Sequence, residues 1–173
     1  MCVHACSSLL HPVGRRPVTA LILGIDPGKT GALALLDPDC AIVAIEDMPD
    51  ATGAALGAQI AALLADWSPH TIAAAWVEFQ TGRPGQSSSA MFTFATGYGA
   101  ILGALGALHI PVHHVTPAHW KRTQRVTKDK ASSRQRFAEL WGAHAGMVKR
   151  VKDDGRAEAA LIARHGLLHG EGA

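Results

Sequence analysis

The stretch Val18–Ile25, VTALILGI, carries no charged side chain, is dense in aliphatic and β-branched residues, and stops at Asp26-Pro27-Gly28. A short run of this kind, closed by turn residues, reads as a central strand of a sheet. Gly31–Leu36 follows a tight turn as a second apolar run, Asp37-Pro38-Asp39 makes another turn, and Ala41–Glu46 reads as a third strand. Connections this short join antiparallel neighbours, so the chain begins as a three-stranded meander.

The period then changes. Leu56, Ile60, Leu63, Leu64 and Trp67 recur at helical spacing over residues 54–67, with Thr52 placed to cap. Thr71–Phe79 is another buried-strand pattern, and Thr81–Ser89 is a loop rich in Gly, Pro and Ser. A long helix of small residues is expected over 88–108. Its Gly97, Gly99, Gly103 and Gly106 point to close packing against another backbone, either a partner subunit or an intramolecular crossing. Val112–Val115 is a last short strand, Thr116-Pro117 opens a helix in the cap-then-proline pattern, and residues 130–141 and 154–168 read as helices separated by a basic connection. Strands that alternate with helices after the meander imply parallel pairing. The expected fold is α/β, with a mixed five-stranded sheet (three antiparallel strands, then two parallel) flanked by helices.

A chain of 173 residues suits one domain, expected over 18–168 between a disordered tail at 1–17 and a short tail at 169–173. Gly28-Lys29-Thr30 imitates a phosphate-binding loop, but G-x-x-x-x-G-K-[ST] needs a glycine where Leu23 stands, and Gly24 is one residue too close. Two-domain ATPases with a similar first strand need far more chain, so no nucleotide cofactor is expected. Cys2, Cys6 and Cys40 show no paired ligand spacing, which points to a reducing, cytoplasmic setting. Every apolar run is cut by Gly, Pro or charge, so no membrane span is expected.

Charge is distributed unevenly. Residues 18–80 contain eight acids and a single basic residue, Lys29, whereas residues 121–152 contain ten Lys or Arg against Asp129 and Glu139. Acids for a cation beside bases for phosphates are what a metal-dependent enzyme acting on a polyanion requires. Three acidic positions stand out by location: Asp26 ends the first strand, Glu78 ends the fourth between Val77 and Phe79, and Asp153, Asp154 and Glu158 open the last helix. Asp154 and Glu158, four apart, share a face. Such carboxylates repel one another unless cations neutralise them, and hard oxygen ligands suit Mg²⁺ or Mn²⁺.

The ordered set I-L-G-I-D-P-G-x-T-G at Asp26, W-V-E-F-Q at Glu78, V-T-P-x-H-W-K at Lys121 and K-D-D-G-R-A-E-A-A-L-I-A over 152–163 resembles the RuvC-type Holliday junction resolvases, especially the short versions of phages and prophages. The resemblance implies an RNase H-like fold, a homodimer, and cleavage of four-way DNA junctions by paired nicks with two Mg²⁺ (Mn²⁺ may substitute) per active site. By position it implies Asp26, Glu78, Asp154 and Glu158 as catalytic metal ligands. Asp153 stands as an alternative to Asp154, which the i,i+4 relation to Glu158 favours. Phe79, Arg83, Lys121, Lys128, Lys130, Lys149, Arg150 and Lys152 would contact DNA, Phe79 by stacking on an unpaired base. His114 and His119 are candidates for proton transfer or phosphate contact. Forks and flaps are alternative substrates, and a non-catalytic junction-binding protein is an alternative reading.

Overall fold

A computed structural model of the protein describes residues 20–67, 71–79, 85 and 87–170. The expected tail 1–17, most of the loop 81–89 including Arg83, and the last three residues lie outside the described residues, and Lys130 is described only as the first residue of its helix.

Five strands form one sheet: β1 (Ala20–Asp26), β2 (Ala32–Leu36), β3 (Ile42–Asp47), β4 (Thr71–Glu78) and β5 (Val112–Val115). Their spatial order is β3-β2-β1-β4-β5. The pairs β1–β2 and β2–β3 are antiparallel, whereas β1–β4 and β4–β5 are parallel. This is the mixed five-stranded sheet expected from the sequence, three antiparallel strands followed by two parallel ones.

Among the described residues, five α-helices cover the sheet: α1 (Gly53–Asp66), α2 (Ser88–Ala107), α3 (Pro117–Gln124), α4 (Lys130–Leu140) and α5 (Asp154–His169). Alternation along the strands divides the core. Leu21, Leu23 and Ile25 of β1 and Leu33 and Leu35 of β2 meet Leu56, Ile60, Ile101 and Leu105 of α1 and α2 on one face. Ile22, Ala32, Ala34 and Leu36 meet Trp120, Phe137 and the Ala157–Ala163 stretch of α5 on the other. The strands read as unbroken apolar runs because both faces are covered.

The helix α5 lies unusually close to the sheet. A Cβ at Gly24 of β1 would strike the backbone of Ala159 and Ala163, and one at Gly155 of α5 would strike the carbonyl of Thr30 and the backbone of Gly31. Gly24 lets the middle of α5 rest on β1, and Gly155 lets its first turn rest against the turn that follows Asp26.

The structure qualifies three expectations. The basic connection before α5 is partly ordered as two short 3₁₀ helices, Gly142–Val148 and Val151–Asp153. Thr52 and Thr116 occupy N-cap positions without a side-chain cap bond, whereas the Ser87 hydroxyl does accept from the Ala90 N–H, at 3.2 Å, at the start of α2. Finally, α2 is, by length and composition alone, apolar enough to cross a membrane, because its glycines carry no charge and do not interrupt the helix. The α1–α2 crossing falls at Gly57 against the Ala100 carbonyl, while a Cβ on Gly99, Gly103 or Gly106 would meet nothing within 4 Å among the described residues. An intramolecular crossing therefore does not account for those three glycines.

Candidate active site

In the β1–β4 register Ile25 stands opposite Val77, so Asp26 and Glu78 follow side by side at the carboxyl ends of two parallel strands. They share the strand faces of Ile22 and Ala74, which pack with α5. The Gly24 and Gly155 contacts bring the first turns of α5 to the same end of the sheet. Asp154 and Glu158 therefore approach Asp26 from a third element.

The electrostatics report that convergence. The Asp26 carboxyl is raised from 3.8 to about 7, first by burial, then by the charges of Glu78 and Glu158, with a smaller push from Asp154. The Gly28 N–H, which donates to Asp26 Oδ1 at 3.1 Å, works in the opposite direction. The same turn is closed by the Gly31 N–H donating to the Gly28 carbonyl at 2.8 Å, and Lys29 is exposed on it. The apparent phosphate loop is thus a turn that positions a carboxylate.

The two glutamates are held by α3. Glu78 is buried, and its Oε2 accepts from the Trp120 indole N–H at 2.6 Å. Glu158 Oε1 accepts from Lys121 Nζ at 2.8 Å and from the Ser133 hydroxyl, on α4, at 3.1 Å. Lys121, expected on the DNA backbone, is therefore committed to the acidic cluster, and its ammonium also lies 5.0 Å from the centre of the Trp120 ring.

Asp153 and Asp154 are both buried but differ in partners. Asp153 forms an ion pair with Arg150 at 2.8 Å and accepts the Arg150 backbone N–H at 2.9 Å, which holds its carboxyl below the usual range. Asp154, not Asp153, is among the charges acting on Asp26. Arg150, also expected on DNA, is spent on Asp153, although its side chain remains 57% exposed. Lys128, Lys149 and Lys152 are exposed.

Phe79 is 41% exposed and packs edge-on against Tyr98 and His114. The Tyr98 hydroxyl and His114 Nδ1 lie 2.8 Å apart, and burial pushes the phenol up to about 12. His119 stands edge-on to His165, not among the acids.

Residue reasoning missed Trp120, Ser133 and His165 as participants. Trp120 did leave a signal, being the one bulky apolar side chain in the polar helix PAHWKRTQ. Ser133 and His165 left none that sequence spacing could isolate.

Four carboxylates from three elements are hard, anionic oxygen donors, the chemical type that a divalent cation takes. Among the described residues, however, no group of three or more His, Cys, Asp or Glu side chains is arranged so that it could hold a metal ion as it stands. The acids meet as a concentrated negative field, with Lys121 supplying part of the countercharge.

No protein-family profile matches the chain, and no curated protein matches it in sequence. Solved structures do match in fold. RuvC of Thermus thermophilus in complex with a Holliday junction substrate aligns with a TM-score of 0.60 at 16% identity, over 87% of this chain and 96% of that one. A second Thermus thermophilus RuvC structure aligns with a TM-score of 0.59 at 18% identity, over the same shares.

Proposed function

We propose that this protein is a metal-dependent, structure-specific endonuclease that resolves four-way DNA junctions by paired symmetric nicks. The observation that carries the reading is the meeting of Asp26, Glu78, Asp154 and Glu158 at the carboxyl end of two parallel central strands, on a fold similar to that of RuvC. A buried cluster of like charges costs stability and needs a functional reason to persist.

In this reading the four acids would hold two Mg²⁺, with Mn²⁺ able to substitute. The ions would activate a water for attack on phosphorus and neutralise charge at the departing 3′ oxygen. The chain's own contribution is placement. The strand ends fix Asp26 and Glu78, the close approach of α5 fixes Asp154 and Glu158, and burial strengthens the attraction of the cluster for cations. Exposed Lys128, Lys149 and Lys152 grip phosphates without reading sequence, and Phe79 offers a ring face for an unpaired base.

Paired nicks call for two copies of the site, and we assign the second to a homodimer. Support comes from α2, which leaves Phe92 74% exposed and Met91 44% exposed beside its three open glycines. The mostly uncovered apolar helix fits a partner protomer; a membrane is the competing occupant.

The test is to incubate the purified protein with a synthetic four-way junction, a fork and a linear duplex, in Mg²⁺ or EDTA, alongside Asp26→Asn. Symmetric nicks on the junction alone, lost in EDTA and in the variant, are expected. Equal cutting of forks would favour a broader branched-DNA nuclease, and tight binding without cutting would overturn the enzymatic reading.

A further inference from the structure

We infer that Trp120 is a positioning residue of this site, aiming the Glu78 carboxylate and, through the next residue, that of Glu158. The inference rests on the nuclease reading above and adds a residue that the acidic constellation does not contain.

Trp120 is fully buried, and its indole N–H donates to Glu78 Oε2 at 2.6 Å, a short bond to an ionisable acceptor. An indole carries one donor, no acceptor and no charge. It can therefore fix the orientation of a buried carboxylate while leaving its negative charge available to a cation, which an arginine or lysine at the same place would cancel. The ring face meanwhile lies beneath the Lys121 ammonium at 5.0 Å, and that ammonium donates to Glu158 Oε1 at 2.8 Å. One indole thus links an acid of β4 through its edge to an acid of α5 through its face.

The backbone of Trp120 is itself held. Its N–H donates to the Thr116 carbonyl at 3.2 Å, and its carbonyl accepts the Thr123 hydroxyl at 2.8 Å. Thr123 Oγ1 and His165 Nδ1 also share a hydrogen bond at 2.8 Å, so that His165 on α5 ties α3 down. Side chains that orient metal ligands are worth about ten- to a hundredfold in metal affinity.

The experiment measures Mn²⁺ affinity by titration calorimetry on the full chain in four forms: wild type, Trp120→Phe, Glu78→Gln and the double variant. Trp141→Phe is the control, since it also removes a largely buried indole N–H bonded at 2.7 Å, there to the Cys40 carbonyl. Trp120→Phe keeps an aromatic ring near Lys121 and removes the donor together with part of the buried ring volume, a volume loss that Trp141→Phe reproduces. It is expected to weaken Mn²⁺ binding about ten- to a hundredfold, to cause little further loss in the Glu78→Gln background, and to have no counterpart in Trp141→Phe. Wild-type affinity in Trp120→Phe, or an equal loss with and without Glu78, would overturn the inference. A second readout does not depend on that variant folding. The Trp120 indole N–H proton should resonate downfield of those of the other three tryptophans and move on Glu78→Gln and on addition of Mg²⁺; an unmoved resonance overturns the inference. If the wild type neither binds Mn²⁺ nor cuts junctions, the nuclease reading fails and takes this inference with it. A normal wild type with a normal Trp120→Phe sinks this inference alone.

Discussion

Replacing Asp26 by asparagine should stabilise the metal-free protein while abolishing its proposed chemistry. In the unfolded chain this carboxyl ionises near 3.8; in the fold it ionises near 7. Between those values the folded state holds a proton that the unfolded state has released, so stability falls as pH rises through the window, and the whole cost is imposed above about pH 7. At 1.36 kcal/mol per pH unit the cost is about 4 kcal/mol. Asparagine keeps an oxygen to accept the Gly28 N–H and removes the charge. With the repulsion shared across the cluster, a gain of about 2 to 4 kcal/mol is expected at pH 8 in EDTA, on the order of 6 to 12 °C in Tm for a chain of this length. Below pH 4 the gain should vanish.

His165 sharpens the test because its sign is opposite. Burial, with the nearby His169 and His119, lowers its ring from 6.5 to about 4. The unfolded chain then takes up the proton first, and stability is lost as pH falls from 6.5 through 4. In the wild type the two dependences oppose each other over nearly the same window, so its stability should change little with pH there. Over that window the Asp26→Asn variant keeps the His165 effect without the opposing one and should become acid-sensitive, with the lowered carboxyls of Asp47 and Asp153 adding to the loss at still lower pH. Thermal melts at pH 8, 6 and 4 in EDTA measure both effects. Mg²⁺ at a hundred times its dissociation constant should then stabilise the wild type by about 2.7 kcal/mol and leave the variant unmoved. A variant no more stable than wild type at pH 8 in EDTA would refute the claim that the acids strain one another.

Three further outcomes are expected. Gly24→Ala should cost about 3 kcal/mol or more in urea denaturation, because the added Cβ meets the backbone of Ala159 and Ala163, which cannot swing aside. Lys128→Ala and Lys149→Ala should each reduce the salt dependence of junction binding by about one ion, whereas Lys121→Met should impair cleavage and leave that slope unchanged, since its ammonium is bonded to Glu158; fluorescence anisotropy across a salt series separates them. Phe92→Glu on the uncovered face of α2 should yield monomers in sedimentation velocity and lose paired nicking while single nicks persist, and a variant that remains dimeric would move the interface elsewhere.

The order of elements was legible in the chain because each strand and helix advertises itself locally. ALILGI can be little other than a central strand, Asp-Pro-Gly ends it, and Thr-Pro opens α3. The acids were legible for a related reason: Asp26 and Glu78 are charges at the ends of apolar strands, where burial makes charge conspicuous. Less visible was the apolar reach of α2, because its glycines look like interruptions when they are counted along the chain.

Sequence by itself determined the strands, the helices, and which carboxylates sit at their ends, since hydrophobic period and turn chemistry act over a few residues. Tertiary structure alone decided which charges meet. Asp153 and Asp154 are neighbours in the chain, yet one is bonded to Arg150 and the other faces Asp26. Lys121 and Lys128 belong to one basic segment, yet only Lys121 is turned onto Glu158. Those choices depend on the close approach of α5 at Gly24 and Gly155 and on the placement of α3 against β4. Coulomb and hydrogen-bond energies fall off over a few ångströms, whereas the residues involved lie tens of positions apart in the chain.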